Sequence, residues 1–253
     1  MAIAERYLSS YFNRDGFNIV DHYTYVLASD GDLMEGVSSE AAALAGHFKL
    51  NKLIVIWDNN KVTIDGPTSL AWSENVLERF HALGWYVQDI EDGYNLSKIE
   101  DAVRNAREQK DKPSFIAVRT HIAYGSRLQD DSRAHGAPLG KEVVEEMKKK
   151  FNWPLEEFYI PEEAWRYREE KIKNGVKMEE EWRRIFERYR ENYPDLADLL
   201  LRCFNRDWGK EYKKYLPVFT EGMATRAASG KVLNAIAKHI PTMLAGSADL
   251  FES

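Results

Sequence analysis

The sequence predicts an α/β fold, a doubly wound and mostly parallel sheet followed by a helical linker, and three observations carry that prediction. Short apolar runs alternate with helical patterns through the first half of the chain. One run, Leu53-Ile54-Val55-Ile56-Trp57, is apolar throughout, as expected of a strand buried on both faces of a parallel sheet. Two polar residues, Asp30 and Asn60, follow successive strand candidates and lie 30 residues apart, the length of about one βαβ unit.

The elements follow in order. Ile3, Tyr7, Leu8, Tyr11 and Phe12 share one helical face, so a helix is expected from the first residues. No Ser, Thr, Asp or Asn precedes it as a cap. An uncapped start reads either as a frayed helix end or as a reading frame that opens inside a domain. Tyr23 to Ala28 is a β-favouring run, and Ala42, Ala43, Leu44, Ala45 and Phe48 give helical spacing between Gly36 and Leu50. After the second strand a helix is expected from Ser69 to Leu83, a strand at Trp85 to Val87, a helix from Leu96 to Gln109 and a strand at Ser114 to Val118. Alternation at this interval reads as successive right-handed βαβ units. From Lys141 to Lys214 the chain turns rich in Glu, Lys, Arg and Trp with helical periodicity, and its mixed charge reads as solvated helix surface. Thr225 to Ile240 is amphipathic, and Thr242 to Gly246 is expected to begin another strand. Three regions result: 1–140, a sheet domain or part of one; 141–217, a helical linker; and 218–253, the start of a second domain. One strand cannot make a sheet, so that end reads as an interrupted domain.

Composition limits the function classes. The 253 residues leave room for one large domain or two small ones, and 44% hydrophobic residues supply a substantial core. With 35 Lys and Arg against 41 Asp and Glu, the net charge of -6 argues against general binding to nucleic acid or a membrane surface. It leaves room for a local basic site that holds a small phosphorylated ligand. A single cysteine, Cys203, excludes a disulfide framework and a cysteine-based zinc site within one chain and points to a reducing cytoplasm. No apolar run approaches the roughly 20 residues of a membrane span, and the start lacks the basic-then-apolar pattern of a signal sequence.

Asp30 and Asn60 carry the chemistry. Parallel strands joined by a crossover helix bring both C-terminal ends to one sheet edge, where ligands of open α/β sheets bind. A carboxylate and an amide oxygen converging there are hard ligands suited to Mg²⁺ or Ca²⁺. Mg²⁺ takes few protein carboxylates and completes its octahedron with water and phosphate oxygens, so the sparse set points to a bound diphosphate. Gly31 and Gly36 allow close backbone approach. Either half alone has a plain alternative, since Asp30-Gly31 reads as a turn and Asn59-Asn60 as a cap or loop. Trp57 and the tryptophans from 153 to 208 read as packing residues rather than a ligand platform.

Asp30-Gly31 followed by Asn60 resembles the thiamine diphosphate motif, Gly-Asp-Gly and then an Asn one crossover later, with Ser29 in place of the first Gly. The segments Asp21-His22-Tyr23-Thr24-Tyr25, Asp32-Leu33-Met34-Glu35-Gly36, Ile64-Asp65-Gly66, His135-Gly136-Ala137-Pro138-Leu139-Gly140 and Gly246-Ser247-Ala248-Asp249-Leu250 are similar to transketolases along essentially the whole chain.

The resemblance implies thiamine diphosphate and a divalent metal, Mg²⁺, Ca²⁺ or Mn²⁺, as cofactors. It implies that Asp30 and Asn60 coordinate the metal and that Val62 adds its backbone carbonyl. Gly31 would meet the diphosphate, Ile64 would pack near the thiazolium and Asp249 would lie beside it. His135 would serve the cofactor and the donor substrate as a catalytic residue. Arg226 and Ser253 would bind the acceptor's phosphate, and Glu35 and Glu40 would lie at the interface of a homodimer. Without their family context, His135 reads as a surface histidine, Arg226 as a solvated charge and Glu40 as an exposed helix residue. The implied reaction passes a two-carbon unit from a ketose phosphate to an aldose phosphate in carbohydrate metabolism, the pentose phosphate pathway. Family members carry further sequence on both sides of the matching segment, including active-site histidines, a glycine-rich loop and an activating glutamate. The expectation is therefore a partial chain, inactive alone. Two alternatives stand beside it: dihydroxyacetone synthase or another thiamine enzyme, and a noncatalytic cofactor-binding subunit.

Overall fold

The computed structural model describes residues 1–208 and 211–246. These fall into two compact units, Met1–Gly175 and Val176–Ser253.

The first unit is an α/β layer structure. Strands β1 (Thr24–Ser29), β2 (Leu53–Asn59), β5 (Tyr86–Ile90) and β6 (Ser114–Arg119) form one parallel sheet in the order β1-β2-β6-β5. A two-stranded hairpin, β3 (Val62–Thr63) with β4 (Gly66–Pro67), follows β2. Helices cover both sheet faces, as the apolar strands require. Ala42 and Ala45 of α3 (Gly36–His47) and Val76 and Phe80 of α4 (Val76–Ala82) pack with Val55, Trp57, Phe115 and Ala117 on one side. Ala102 and Ala106 of α5 (Leu96–Glu108) pack with Ile54, Ile90, Ile116 and Val118 on the other. Ile54, Phe115 and Ile116 are fully buried, which explains why β2 and β6 carry unbroken apolar runs.

Two glycines mark close approaches that the sheet requires. A Cβ on Gly46 would stand 1.9 Å from the Leu83 carbonyl oxygen, where α3 meets the loop into β5. A Cβ on Gly93 would stand 2.5 Å from the Arg119 carbonyl oxygen, the group that accepts from the Gly93 N–H at 2.8 Å.

Most expected elements are present within a few residues. The first helix, α1 (Ala2–Phe12), begins with Met1 at its cap position and no side-chain capping bond. The helix expected from Ser69 to Leu83 is shorter: a 3₁₀ turn covers Thr68–Leu70, and α4 starts only at Val76. The reason is local, because the Asn75 side chain accepts from the Glu78 N–H at 3.2 Å and caps α4 there. A five-residue helix that periodicity cannot register, α2 (Asp30–Met34), follows β1 directly. Helix α6 (Lys141–Lys150) and the 31-residue α7 (Glu162–Asn192) fill much of the charged region, and the division between the two units falls within α7.

In the second unit Phe186 and Tyr189 of α7 are buried, as are Ala197 and Leu200 of α8 (Pro194–Asn205), which Pro194 starts at a position that needs no N–H. Helix α9 (Thr225–Ala237) follows. The strand expected to begin at Thr242 does not: residues 242–246 are irregular, and 247–253 lie outside the described residues. A parallel strand forms only where a neighbour accepts its hydrogen bonds, and none is at hand there among the described residues. No described helix is long and apolar enough to cross a membrane.

Candidate cofactor and metal site

The site is built where β1 and β2 end side by side. The two strands pair in parallel up to Ser29 against Asp58, and β2 ends one residue later at Asn59, so Asp30 and the segment 60–62 leave the sheet at one edge. Ser29 caps α2 through a reciprocal box: its N–H and hydroxyl donate to Asp32 Oδ2 at 2.7 and 2.8 Å, and its hydroxyl accepts from the Asp32 N–H at 3.5 Å. The residue that departs from the cofactor motif thus starts the helix whose first residue is Asp30.

Asp30 is 1% exposed. One carboxylate oxygen accepts from the Lys61 N–H at 2.9 Å and the other from the Trp57 indole N–H at 3.2 Å. Two bonds use half of the lone-pair sites that a carboxylate offers. Among the described residues no Lys, Arg or His forms an ion pair with it. Burial pushes the Asp30 carboxyl above the ordinary carboxylate range, and nearby Asp58 adds to this, while the Lys61 and Trp57 donors and, more weakly, the Asn60 backbone N–H pull the other way. A buried carboxylate without a cationic partner is costly, and a divalent cation would remove that cost.

Asn60 is 9% exposed, and its side-chain oxygen accepts from the Val62 N–H at 2.9 Å, which leaves a second lone pair. Lys61 between them takes positive φ (64°), a tight turn that aims its N–H at Asp30 and brings Val62 back to open β3. The Lys61 N–H on Asp30 and the Val62 N–H on Asn60 thus bring Asp30, Asn60 and Val62 to one stretch of the sheet edge. Among the described residues no three His, Cys, Asp or Glu side chains converge on a point, so a cation here would draw its other ligands from backbone, water or a phosphate. Space also fits: a Cβ on Gly31 would meet only Ser29 Oγ at 4.0 Å, and one on Gly36 nothing within 4 Å.

A cavity of about 440 Å³ opens beside these residues on the α5 side, with Ser29, Asp32, Asp58, Gly93 and Thr120 among its lining groups. Ile64, at the hairpin turn, is 72% exposed, and its turn is closed by the Thr63 hydroxyl donating to the Gly66 carbonyl at 3.0 Å. His135 is half-buried and follows the 3₁₀ turn Ser132–Ala134, and its Nδ1 is buried without a hydrogen-bond partner among the described residues. Among the described residues no hydrogen bond joins it to Asp30 or Asn60. Glu35 and Glu40 are exposed on α3 and its entry. Arg226, exposed in the first turn of α9, belongs to the second unit. Asp249 and Ser253 lie outside the described residues.

Sequence reasoning missed two contributors to this edge, and a third polar pairing beyond β6. Trp57 packs as expected but also holds Asp30. Asp58 makes a short contact with the Thr120 hydroxyl, and its position directly after the apolar run was the available signal. His121, just past β6, sets its Nδ1 2.8 Å from Asp130 and its N–H 3.2 Å from the Tyr94 hydroxyl. A histidine ending a parallel strand was the signal there, but the partner nine residues on follows no periodicity.

The family model described as "Transketolase, thiamine diphosphate binding domain" matches residues 1–208. The transketolase of Aquifex aeolicus is 61% identical over 253 residues, all of this chain and 37% of that protein. The Bacillus subtilis transketolase is 46% identical over 255 residues, covering 99% of this chain and 38% of the relative. Among solved structures, transketolase from Leishmania mexicana superposes with a TM-score of 0.94 at 36% identity, covering all of this chain and 38% of that one. A Pichia stipitis transketolase in complex with sedoheptulose-7-phosphate gives 0.93 at 36% identity, with the same coverage. The chain thus spans well under half the length of these relatives. Matched over most of its length by the family's model, with its sheet and its Asp30–Asn60 edge in place, the chain belongs to the transketolase family.

Proposed function

We propose that this chain supplies the diphosphate-binding half of a transketolase site. In that reading it holds thiamine diphosphate through a divalent cation, Mg²⁺ first among candidates, for transfer of a two-carbon unit between sugar phosphates. The observation that carries the reading is Asp30, a buried carboxylate with two N–H donors, no cationic partner among the described residues, and Asn60 beside it. Asp30, Asn60 and the Val62 carbonyl would hold the cation, and the backbone at Gly31 would face the diphosphate. Bound thiamine diphosphate supplies the carbon nucleophile on which the two-carbon transfer depends. The chain's own part is to anchor and orient: the cation clamp fixes the diphosphate, Ile64 offers an exposed apolar face beside it, and the His135 Nδ1, buried without a partner among the described residues, supplies a polar contact to cofactor and donor substrate.

The same reading gives Arg226 and Ser253 the acceptor's phosphate and Asp249 the thiazolium side. Glu35 and Glu40, both exposed, would meet a second subunit in a cytoplasmic homodimer of the pentose phosphate pathway. It divides the chain into residues 1–140 of the diphosphate-binding domain, a linker at 141–217 and the start of a pyrimidine-binding domain at 218–253.

Two measurements test it. Calorimetric titration of the chain with thiamine diphosphate and Mg²⁺ is expected to show binding that Asp30→Ala abolishes; equal heats from both proteins would refute the cation clamp. For the activity, this segment is exchanged for its counterpart in the Aquifex aeolicus relative. The hybrid is expected to transfer two-carbon units from a ketose phosphate to ribose 5-phosphate, and Asp30→Ala within it to abolish transfer. A hybrid that prefers formaldehyde as acceptor would favour dihydroxyacetone synthase.

A further inference from the structure

We propose that Trp57 is a positioning residue of the cation site: its indole N–H fixes the Asp30 carboxylate in the rotation that presents the remaining lone pairs to the metal. The inference rests on the cation reading of Asp30 given above.

Asp30 projects from the first residue of a five-residue helix, too short to hold a side chain rigidly by itself. Its orientation is set instead by two donors on opposite oxygens, the Lys61 backbone N–H at 2.9 Å and Trp57 Nε1 at 3.2 Å. The indole has one donor and spends it here, so the same bond satisfies a buried N–H. Trp57 cannot swing away. It is 6% exposed, meets Trp72 edge-on at 6.0 Å between ring centroids and lies 5.9 Å from Phe115, which stacks on Phe80 at 3.7 Å.

The covalent arrangement adds to this. Trp57 near the end of β2 and Asn60 and Lys61 just after it belong to one stretch of chain, and β2 is paired on one side with β1 and on the other with β6. A single strand exit thus supplies the second metal ligand and both donors that orient the first. A phenylalanine at position 57 would keep the position apolar and aromatic, though smaller, but carries no donor for Asp30, so packing alone does not account for the indole. Groups that orient a metal ligand in this way commonly contribute 10- to 100-fold to metal affinity.

The test uses the whole chain and Mn²⁺ alone, followed by electron paramagnetic resonance, so that it does not depend on enzyme activity. Trp57→Phe is expected to weaken Mn²⁺ binding by about 10- to 100-fold. Trp72→Phe, which leaves the Trp57 N–H in place, is expected to keep the affinity of the unaltered chain. Asp30→Asn separates the two readings. If Asp30→Asn abolishes binding while Trp57→Phe does not change it, the positioning role is overturned and the cation site stands. If the unaltered chain takes up no Mn²⁺, or Asp30→Asn binds as well as it does, the cation reading fails and this proposal with it. Should Trp57→Phe not fold, the unaltered chain decides: its Trp57 indole N–H resonance is expected to shift as Mg²⁺ saturates the site, and a resonance that stays in place overturns the proposal.

Discussion

Ser29 and Asp131 show how single side chains set the local geometry around the proposed site. In the Ser29–Asp32 box the carboxylate of Asp32 is held below the ordinary range, first by the Ser29 backbone N–H and then by its hydroxyl. Replacing Ser29 by Gly, the residue of the usual motif, keeps the backbone donor and removes the hydroxymethyl group, but Gly is itself a favoured N-cap residue whereas Ala is not. We expect a cost of a few tenths of a kcal/mol in urea unfolding, against about 1 kcal/mol for Ser29→Ala. Asp131 accepts from the Arg133 N–H at 2.8 Å and meets its guanidinium at 2.6 Å. This pairing lowers the Asp131 carboxyl to about 2 from the ordinary 3.8. A depressed carboxylate stabilises the turn above its unfolded value, and the contribution is lost as pH falls through the folded one. The Asp131–Arg133 pairing in the turn that leads into His135 should therefore be present at neutral pH and be lost as pH falls through about 4 to 2. The Arg133 amide resonance would report this, and in Asp131→Asn it should show no transition in that window.

At the scale of elements, strand pairing and close packing decide what periodicity only suggests. Leu53 to Trp57 was readable as a doubly buried strand because both faces are covered, by α3 and α4 on one side and α5 on the other. The start of α4 was not, because the apolar spacing continues upstream of Asn75 while the cap sits at Asn75. Gly46 and Gly93 carry no periodic signal at all; each is needed because two elements approach too closely for a side chain. Gly46→Ala forces a Cβ against the Leu83 carbonyl and is expected to destabilise by about 1–3 kcal/mol, read as a lower urea midpoint at unchanged slope. Lys52 ties α1 to the start of β2, with its ammonium 2.6 Å from the buried Glu5 and in short contact with Asp21. Lys52→Met would strand Glu5 without a partner and should cost about 2 kcal/mol, less than a fully buried pair because Lys52 keeps some contact with water.

For the whole molecule the open question is the sheet edge. The chain's 44% hydrophobic residues do form a core, but β1 is an edge strand with Tyr25 48% and Leu27 81% exposed. An apolar cavity of about 410 Å³, which Val26, Leu33, Phe80 and Trp85 help to line, lies against the same strand. Exposed apolar edge strands template self-association. Leu27→Lys is expected to reduce concentration-dependent light scattering of the isolated chain while changing its stability by less than about 0.5 kcal/mol. Scattering unchanged by the substitution would show that the edge does not drive association.

The sequence by itself determined the alternating pattern of the sheet, the positions of Asp30 and Asn60 at the ends of neighbouring strands, and the sparse oxygen chemistry that follows. Those features are legible because strand burial and βαβ spacing are written in residue order. Only the tertiary structure decided that Asp30 is buried without a cationic partner among the described residues, that Trp57 donates to it across two strands, and that Ser29 builds a cap where the motif has glycine. The first two depend on which side chains the parallel register sets opposite one another, and register is a property of paired strands rather than of either strand alone; the cap depends on the chain turning from β1 straight into α2.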